Sequence, residues 1–252
     1  KYAIVGSGPA GMYAADALLK SLPDCHVDVF EKYPAPYGLI RYGVAPDHYK
    51  TRNTSRQFAR TFDEAAVGYY GNVEIGKDIS LDELKEHYDA VVLAMGAYND
   101  RKLGIEGEDL DGVYGACAFV GWYNGHPDYR DLNPRLDQDG VAVIGIGNVA
   151  LDVCRVLAKT RTEHETSDIC AHALDAIEAS PLTNLHMFGR RGAVEAGFTP
   201  KELGEIKDLE RCAAIVDAAQ LPDDVTGDFE GRERGIKEKN LNLLKDLAAQ
   251  DK

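Results

Sequence analysis

Two glycine-rich turns, far apart in the chain, constrain its fold more than any other feature. They are Gly6-Ser7-Gly8-Pro9-Ala10-Gly11 and Gly145-Ile146-Gly147-Asn148-Val149-Ala150. Each follows a short apolar run that predicts a strand and precedes an apolar run that predicts a helix. In such a unit the first glycine permits a tight turn, the second lets the backbone approach a pyrophosphate, and a small third residue lets the helix pack on the strand. Two such units predict two dinucleotide sites.

An acidic residue follows the second predicted strand of the first unit. Residues 27–30 read as that strand, and Glu31 comes directly after it. A carboxylate at this distance from a glycine turn is typical of a site that binds a ribose hydroxyl. The pyrophosphate would then lie at the helix N-terminus, where backbone N–H groups and the helix dipole favour an anion. The alternative is a tight βα turn that binds nothing.

The second unit has arginines where the first has an acid. Its next predicted strand, residues 185–188, leads into Gly189-Arg190-Arg191-Gly192. Guanidinium groups make charge-assisted, often bidentate bonds to phosphate, each worth about 1.5–3 kcal/mol. We therefore expect the first turn to hold FAD and the second to hold NADP rather than NAD. A solvated basic loop is the other interpretation of the arginine pair.

Composition narrows the functional class. The chain has 252 residues, enough for two domains, and a formal charge of −14, which disfavours nonspecific binding to nucleic acid or an anionic membrane. No apolar run reaches the roughly 20 residues of a membrane span. The five cysteines are scattered without a CxxC pair or ligand spacing, which favours reduced thiols and no metal site. The expected location is the cytoplasm, or the mitochondrial matrix in a eukaryote.

Predicted strands alternate with helices, which indicates parallel α/β sheets, one for each nucleotide. We expect an FAD-binding domain over residues 1–99 and an NADP-binding domain over residues 100–252. The first contains strands at 2–5, 27–30, 73–75 and 90–94 and a helix over 51–70. Residues 33–50 are rich in proline, glycine and aromatic residues and predict a binding loop. In the second domain a helix is expected over 167–179, and leucines at helical spacing predict an amphipathic helix near the end.

Several longer segments resemble one family. They are residues 36–48 (PYGLIRYGVAPDH), 71–76 (GNVEIG), 119–124 (FVGWYN), 147–153 (GNVALDV) and 189–192 (GRRG), together with the first glycine turn. In this order they resemble the adrenodoxin reductase type of ferredoxin–NADP⁺ reductase over residues 1 to about 204. The resemblance implies an α/β fold of two Rossmann-like, three-layer units of the glutathione-reductase type, the second inserted into the first. It also implies hydride transfer from NADPH to FAD and single-electron transfer to a ferredoxin-like iron–sulfur protein.

The resemblance assigns roles to individual positions. On the FAD side these are Gly6, Gly8, Pro9, Ala10, Gly11, Glu31, Gly38, Leu39, Ile75 and Gly96, with Ile75 reaching the adenine through its backbone. On the NADP side they are Gly145, Ile146, Gly147, Asn148, Val149, Arg190, Arg191 and Glu202. His48 and Asp152 match a pair near the flavin that assists proton handling or orients the nicotinamide. Their other interpretation is as surface or capping groups.

The sequence also departs from the family pattern. Gln or Asn is usual at Ile146, which weakens a polar contact to the nicotinamide nucleotide. A later Gly-Trp and Gly-Pro-x-Gly segment that completes the FAD unit does not follow, so we expect an N-terminal portion of a longer polypeptide. The alternative functions are another two-nucleotide flavoprotein, such as the small subunit of glutamate synthase, or a non-catalytic NADP(H)-binding fragment.

Overall fold

The computed structural model describes residues 1–97 and 99–250. The chain divides into two compact units, Lys1–Asn133 and Pro134–Lys252. The division falls later than the predicted one after residue 99. Residues 100–133 therefore belong to the first unit in the structure and not to the second.

The first unit is built on a parallel sheet. Its strands are β1 (Tyr2–Val5), β2 (Val27–Glu31), β3 (Val67–Gly71) and β4 (Ala90–Leu93), hydrogen-bonded in the order β3-β2-β1-β4. Its α-helices are α1 (Pro9–Ser21), α2 (Leu39–Tyr42), α3 (Tyr49–Arg52), α4 (Thr54–Phe62), α5 (Leu81–His87) and α6 (Ala116–Tyr123). A 3₁₀ turn follows at Pro127–Tyr129.

Apolar clusters lie on both faces of this sheet. On one face Ile4, Val27 and Val29 are buried with Ala15 of α1, and Phe62 at the end of α4 packs against them. On the other face a second cluster is formed by Ala3, Val5, Phe30 and Leu84, the last from α5. The unit therefore has helix, sheet and helix layers, as expected of a parallel sheet that is covered on both faces.

The predicted strand over 73–75 is wrong, and the predicted helix over 51–70 is confirmed only as far as Phe62, as α3 and α4. The helical segment ends at Phe62, and the third strand is β3, which begins within the predicted helix and ends at Gly71. Val67, Tyr69 and Tyr70 are residues that pack well on a pleated surface, and the Tyr70 ring stacks on Phe30 of β2 at 5.1 Å between centroids. Residue 75 forms only an isolated bridge with Ile79.

Polar contacts explain why residues 100–133 join the first unit. The side-chain Nδ2 of Asn124 donates to the carbonyls of Tyr42 and Val44, at 3.2 and 3.1 Å. Arg52 donates to the Asn124 amide oxygen and, at 2.9 Å, to the Val44 carbonyl. Asn124 is buried, and these bonds satisfy two backbone carbonyls of the 33–50 loop. They hold that loop on the segment after α6.

The second unit has two parallel strands, β5 (Gly140–Ile144) and β6 (Asn184–Phe188), within the described residues. Its α-helices are α7 (Asn148–Ala158), α8 (Arg161–His164), α9 (Ala171–Ala179), α10 (Pro200–Gly204) and α11 (Gly231–Ala248), with 3₁₀ turns at Ala193–Glu195 and Ala218–Gln220. The helix predicted from residue 167 begins at Ala171, and α11 confirms the predicted amphipathic helix.

The core of the second unit covers one face of its sheet. Leu151 of α7, Leu203 of α10 and Leu247 of α11 are buried together with Ala196 and Phe198. The side chains of both strands alternate between this core and solvent. On the solvent side Ile144 is 59% exposed and Phe188 is 52% exposed. No helix in the described part of the chain has both the length and the hydropathy of a membrane span.

Candidate functional site

The first glycine turn joins β1 to α1 in a conformation that depends on its glycines. Gly6 has φ +105°, and a Cβ there would lie 2.3 Å from the Ala94 carbonyl oxygen. A Cβ on Gly11 would lie 1.9 Å from the Gly6 carbonyl oxygen. Both positions therefore require glycine, because any side chain would clash with a neighbouring backbone carbonyl. The helix begins at Pro9, a residue well suited to the first helical position, and Ala10 is exposed at this helix N-terminus.

The 33–50 loop reaches this turn at its second glycine. The N–H of Tyr37 donates to the Ser7 carbonyl at 3.1 Å. A Cβ on Gly38, which has φ +48°, would lie 2.9 Å from the Gly8 Cα. Leu39 follows Gly38 and is 62% exposed. The structure thus places Gly38 beside the glycine turn, and Leu39 is the next residue in the chain.

Glu31 lies at the end of β2 with its carboxylate against the same turn. One oxygen, Oε2, accepts from the Ser7 N–H at 3.0 Å and from the Ser7 hydroxyl at 2.6 Å. The other, Oε1, accepts from the Tyr33 N–H at 3.1 Å. An ionised carboxylate has about four acceptor positions, so these three bonds leave it room for a further donor. The turn, the acid and the helix N-terminus form one site.

Ile75 and Gly96 lie near the same end of the sheet. The Val73 N–H donates to the Glu31 carbonyl at 2.9 Å, which holds the segment containing Ile75 beside the end of β2. Gly96 follows β4, has φ +72° and leaves open space where a Cβ would be. Nucleotides bind outside the carboxyl ends of the strands in open parallel sheets. Both residues therefore lie near the carboxyl end of the parallel strands, where a nucleotide would bind.

The second glycine turn repeats the geometry of the first. Gly145 has φ +144°, and its N–H donates to the Phe188 carbonyl at 2.8 Å, just as the Gly6 N–H donates to the Phe30 carbonyl at 2.8 Å. Gly147 precedes α7 and has no neighbouring atom within 4 Å of where its Cβ would be. The backbone at the start of α7 is thus open to a ligand. Val149 is 52% exposed on the first turn of this helix.

The arginine pair follows β6 directly, and both side chains are exposed. Gly189, which precedes it, is covered by the Ile146 side chain: a Cβ there would lie 2.6 Å from Ile146 Cδ1. Ile146 also packs against the core formed with Leu151 and Leu203. An apolar contact therefore occupies the position where the resemblance implies a polar side chain, and it supports the backbone that leads to Arg190.

Glu202 is on α10, which lies against the start of α7. The Thr199 N–H, at the N-terminus of α10, donates to the Asn148 side-chain oxygen at 2.8 Å. The Oε2 atom of Glu202 is buried and has no hydrogen-bond partner among the described residues. A buried carboxylate oxygen without a donor is costly unless a ligand supplies one. This geometry fits a cofactor contact.

Asp152 forms an ion pair with the buried Arg155 side chain. Its Oδ1 accepts from Arg155 Nη1 at 2.8 Å, and the same guanidinium nitrogen lies 3.2 Å from Oε2 of Glu205, the residue after α10. Arg155 is 1% exposed. In the first unit His48 immediately precedes α3, and the Thr51 and Arg52 N–H groups donate to its backbone carbonyl. The two predicted catalytic residues belong to different units.

Metal ligands are not grouped in the described residues: there is no cluster of three or more His, Cys, Asp or Glu side chains with suitable geometry. Cys154 is poorly suited to act as a nucleophile. Burial raises the pKa of the Cys154 thiol to about 11, with a further contribution from Cys212. The thiolate is therefore scarce at neutral pH.

A sequence profile of known families matches residues 1–181, and its description is pyridine nucleotide-disulphide oxidoreductase. The chain belongs to the pyridine nucleotide-disulphide oxidoreductase family. The match covers both glycine turns and all of the first unit. It confirms the predicted fold class of parallel-sheet dinucleotide-binding units.

Within this family the chain is most usefully compared with reductases. It is 43% identical over 247 residues to the mitochondrial NADPH:adrenodoxin oxidoreductase of Arabidopsis thaliana, covering 98% of this chain and 51% of that protein. It is 45% identical to the human protein of that name, covering 93% of this chain and 46% of the relative. The structure of Mycobacterium tuberculosis FprA in complex with NADPH is similar with a TM-score of 0.94 at 40% identity, covering 100% of this chain and 56% of that one.

These relatives confirm the predicted resemblance to the adrenodoxin reductase type. The chain spans about half the length of the curated relatives that it matches. Each of the two units of this chain contains one glycine turn of the kind that binds dinucleotides. Arg155, the Ser7–Glu31 bonds and the Ile146–Gly189 contact are the site features that the sequence analysis missed. Only the Asp152–Arg155 pair has a sequence signal, because the two residues are three apart on a helix.

Proposed function

We propose that this chain is the nucleotide-binding part of an FAD-dependent reductase that accepts a hydride from NADPH and passes single electrons to a ferredoxin-like iron–sulfur protein. The observation that carries the proposal is the difference between two otherwise matching turns. Each has a glycine with positive φ whose N–H donates to the next strand. One strand then ends in a buried acid, Glu31, and the other leads to two exposed arginines. An acid suits a ribose hydroxyl, and guanidinium groups suit a 2′-phosphate.

The proposed roles follow from these positions. The backbone of residues 6–11 and the α1 N-terminus bind the FAD pyrophosphate, and Glu31 accepts from the adenosine ribose. Gly38, Leu39, Ile75 and Gly96 line the same end of the sheet. The backbone of residues 145–149 and the α7 N-terminus bind the NADP pyrophosphate, Arg190 and Arg191 bind its 2′-phosphate, and Glu202 accepts from a ribose or amide donor. FAD, when bound, supplies the chemistry that converts a two-electron donor into single-electron steps.

His48 and Asp152 are proposed to act at the reaction centre. Arg155 holds one Asp152 oxygen at 2.8 Å, and a guanidinium at this distance favours the ionised carboxylate. Asp152 would therefore orient a donor group of the nicotinamide as a fixed acceptor. His48 would assist proton handling, as the resemblance implies. The proposed partner is an iron–sulfur protein, in the cytoplasm of a bacterium or in the mitochondrial matrix of a eukaryote.

The first experiment is spectroscopic. The chain purified with added FAD is expected to be yellow, and the flavin absorbance is expected to bleach when NADPH is added without oxygen. A colourless chain that still binds NADPH would instead support a non-catalytic binding module. A yellow chain that NADH bleaches as well as NADPH would favour another two-nucleotide flavoprotein.

The second experiment tests the arginine pair. Replacing Arg190 or Arg191 with Ala is expected to weaken NADP⁺ binding about ten- to a hundredfold and to leave NAD⁺ binding nearly unchanged, because only the 2′-phosphate contact is lost. Arg161→Ala is the matched control, since Arg161 is in the same unit but pairs with Asp175 and Glu178. An unchanged ratio of NADP⁺ to NAD⁺ affinity in the arginine variants would contradict the assignment.

A further inference from the structure

Residues 196–199 form an extended connection between the 3₁₀ turn Ala193–Glu195 and α10, and they lie against the second glycine turn. Ala196 and Phe198 are 2% and 3% exposed and belong to the core of the second unit. Gly197 approaches the turn closely, since a Cβ on it would lie 3.6 Å from the Ile146 carbonyl oxygen and 3.9 Å from the Gly147 Cα. The segment therefore lies against the proposed NADP turn through Gly197.

Two peptide groups of this segment each accept one hydrogen bond through the carbonyl and donate another through the N–H. In the peptide between residues 196 and 197, the Ala196 carbonyl accepts from Lys237 Nζ at 2.8 Å and the Gly197 N–H donates to the Ile146 carbonyl at 2.7 Å. In the peptide between residues 198 and 199, the Phe198 carbonyl accepts from Asn240 Nδ2 at 2.8 Å and the Thr199 N–H donates to Asn148 Oδ1 at 2.8 Å.

The donors to both carbonyls come from one face of α11, because Lys237 and Asn240 are three residues apart on the helix. The acceptors of both N–H groups are in the glycine turn. Hydrogen bonds in series polarise one another, so each peptide group links α11 to the turn more firmly than separate bonds would. We propose that Lys237 and Asn240 are positioning residues for the dinucleotide site, acting through residues 196–199 on the backbone of the second glycine turn. This inference rests on the proposed function.

The Asn240 side chain supports this role. It is 1% exposed, and its Oδ1 is buried without a hydrogen-bond partner among the described residues. A buried amide with an unsatisfied oxygen is less favourable than an apolar side chain of similar volume. The Nδ2 bond to the Phe198 carbonyl is the contact that an apolar side chain at this position would lose. The Lys237 side chain is held by a second contact, because its ammonium group also lies over the Phe229 ring, 5.4 Å from the ring centroid.

The turn needs such support because its two glycines make few packing contacts. Gly147 has no atom within 4 Å of where its Cβ would be, and Gly145 has only Ala150 Cβ, at 3.8 Å. Glycines lose more conformational entropy on folding than other residues. Bonds that hold the Ile146 carbonyl and the Asn148 side chain reduce the motion of the backbone that must meet the pyrophosphate. Preorganisation of this kind raises affinity without a new ligand contact.

The test is NADP⁺ and NAD⁺ binding by calorimetry on the full chain and its variants. Lys237→Met and Asn240→Leu each remove one donor and keep most of the side-chain volume. Each is expected to weaken NADP⁺ binding about three- to thirtyfold and to weaken NAD⁺ binding by the same factor, because the pyrophosphate turn is common to both ligands. Hydrogen exchange of the Gly197 and Thr199 amides is expected to become faster in both variants.

Lys245→Met is the matched control, because Lys245 also donates from α11 to a carbonyl, that of Asp223, away from the segment. It is expected to leave both affinities unchanged. Parent-like NADP⁺ affinity in the Lys237 and Asn240 variants overturns the proposal, as does a loss confined to NADP⁺. If Asn240→Leu fails to fold, the Lys237→Met result decides. If the unaltered chain binds neither dinucleotide, the proposed function itself is wrong. If the unaltered chain binds both and the variants bind equally well, only the positioning role is wrong.

Discussion

At the scale of single residues, a buried guanidinium is the least expected feature of the second unit. Arg155 is the largest side chain that is fully buried among the described residues, and it lies between Asp152 and Glu205. Taking a charge out of water is expensive unless close partners and hydrogen bonds compensate for it. The three groups therefore depend on one another. The Arg161 pairs with Asp175 and Glu178 have similar geometry at the surface, where solvent screens them.

Replacing Arg155 with Met is expected to lower the free energy of unfolding by about 3–5 kcal/mol, because it leaves two carboxylates without their shared cation. Arg161→Met is the control and is expected to change it by less than about 1 kcal/mol. Urea denaturation at neutral pH measures both. Equal effects of the two substitutions would show that Asp152 and Glu205 do not need Arg155.

His126 makes the stability of the first unit depend on pH. Its Nδ1 accepts from the Asp128 N–H at 3.1 Å, and its ring contacts Tyr33 and Tyr42 at 4.7 and 4.9 Å between centroids. Burial lowers the pKa of His126 from its ordinary value of 6.5, against an opposing contribution from the Asp128 carboxylate. The fold thus favours the neutral ring. The stability that it contributes is present above the unfolded pKa and is lost as pH falls through about 6.5 towards the folded value.

Urea denaturation at pH 7.5 and pH 5.5 tests this dependence. The parent chain is expected to lose more stability between the two pH values than His126→Asn, whose side chain keeps an acceptor oxygen but does not titrate. The same loss in both chains would assign the pH dependence to other groups.

Single residues also mark the limit of sequence reasoning. Glu31 and the arginine pair are predictable because their roles depend on distance along the chain from a glycine turn. Asp28 is not predictable: it is 1% exposed in the middle of β2, where its carboxylate accepts from the Tyr88 hydroxyl at 2.8 Å, and Gly68 on β3 leaves space for it. A partner sixty residues away leaves no local pattern.

At the scale of elements, two helices contain glycines with opposite roles. In α1, Gly11 allows the helix to touch the turn, since a Cβ would lie 1.9 Å from the Gly6 carbonyl oxygen. In α11, Gly235 has no neighbouring atom within 4 Å of a Cβ position. A glycine inside a helix costs about 0.5–1 kcal/mol relative to alanine unless close packing requires it. Only the first glycine has such a requirement.

Gly11→Ala is accordingly expected to destabilise the chain by about 1–3 kcal/mol or more through overpacking, and to weaken FAD binding. Gly235→Ala is expected to stabilise the chain by about 0.5–1 kcal/mol. Thermal unfolding followed by circular dichroism shows whether each substitution raises or lowers the stability. A neutral Gly11→Ala would mean that α1 shifts away from the turn without cost.

Elements were predictable where periodicity or turn chemistry acts locally. The strands β1, β2 and β4 and the helices α1, α7 and α11 follow from apolar runs and glycine turns. The third strand did not follow, because Val67–Gly71 continues a polar, helix-like segment and becomes a strand only through pairing with β2. A tertiary partner decided its conformation, as is common for short segments.

At the scale of the whole molecule, the second unit has one uncovered sheet face. Parallel sheets are normally covered on both faces, yet Ile144 and Phe188 are more than half exposed on the side away from the core. The described residues also leave both outer edges of this two-stranded sheet unpaired. Apolar faces and open edges of this kind promote association.

We therefore expect the chain to bind the dye ANS in its native state and to scatter more light as its concentration rises. Ile144→Thr and Phe188→Thr are expected to reduce both signals and to preserve β-strand character, because threonine suits a strand. Val149→Thr, which changes an exposed apolar residue on α7, is the control. Dye binding that is unaffected by the strand variants would place the apolar surface elsewhere.

The organisation of the chain into units was only partly predictable. The change in composition near residue 100 indicated a boundary there, but the buried Asn124 amide and its bonds to the 33–50 loop extend the first unit to Asn133. Such bonds join residues about eighty positions apart, so composition does not reveal them.

That placement of Asn124 has a consequence for recombination between relatives. A chimaera joined after residue 99 would take the 33–50 loop from one parent and the amide that holds its carbonyls from the other. Joined after Asn133, it would inherit both from the same parent, together with the Tyr33–Asp128 bond. Crossovers at the later position should therefore give folded hybrids more often.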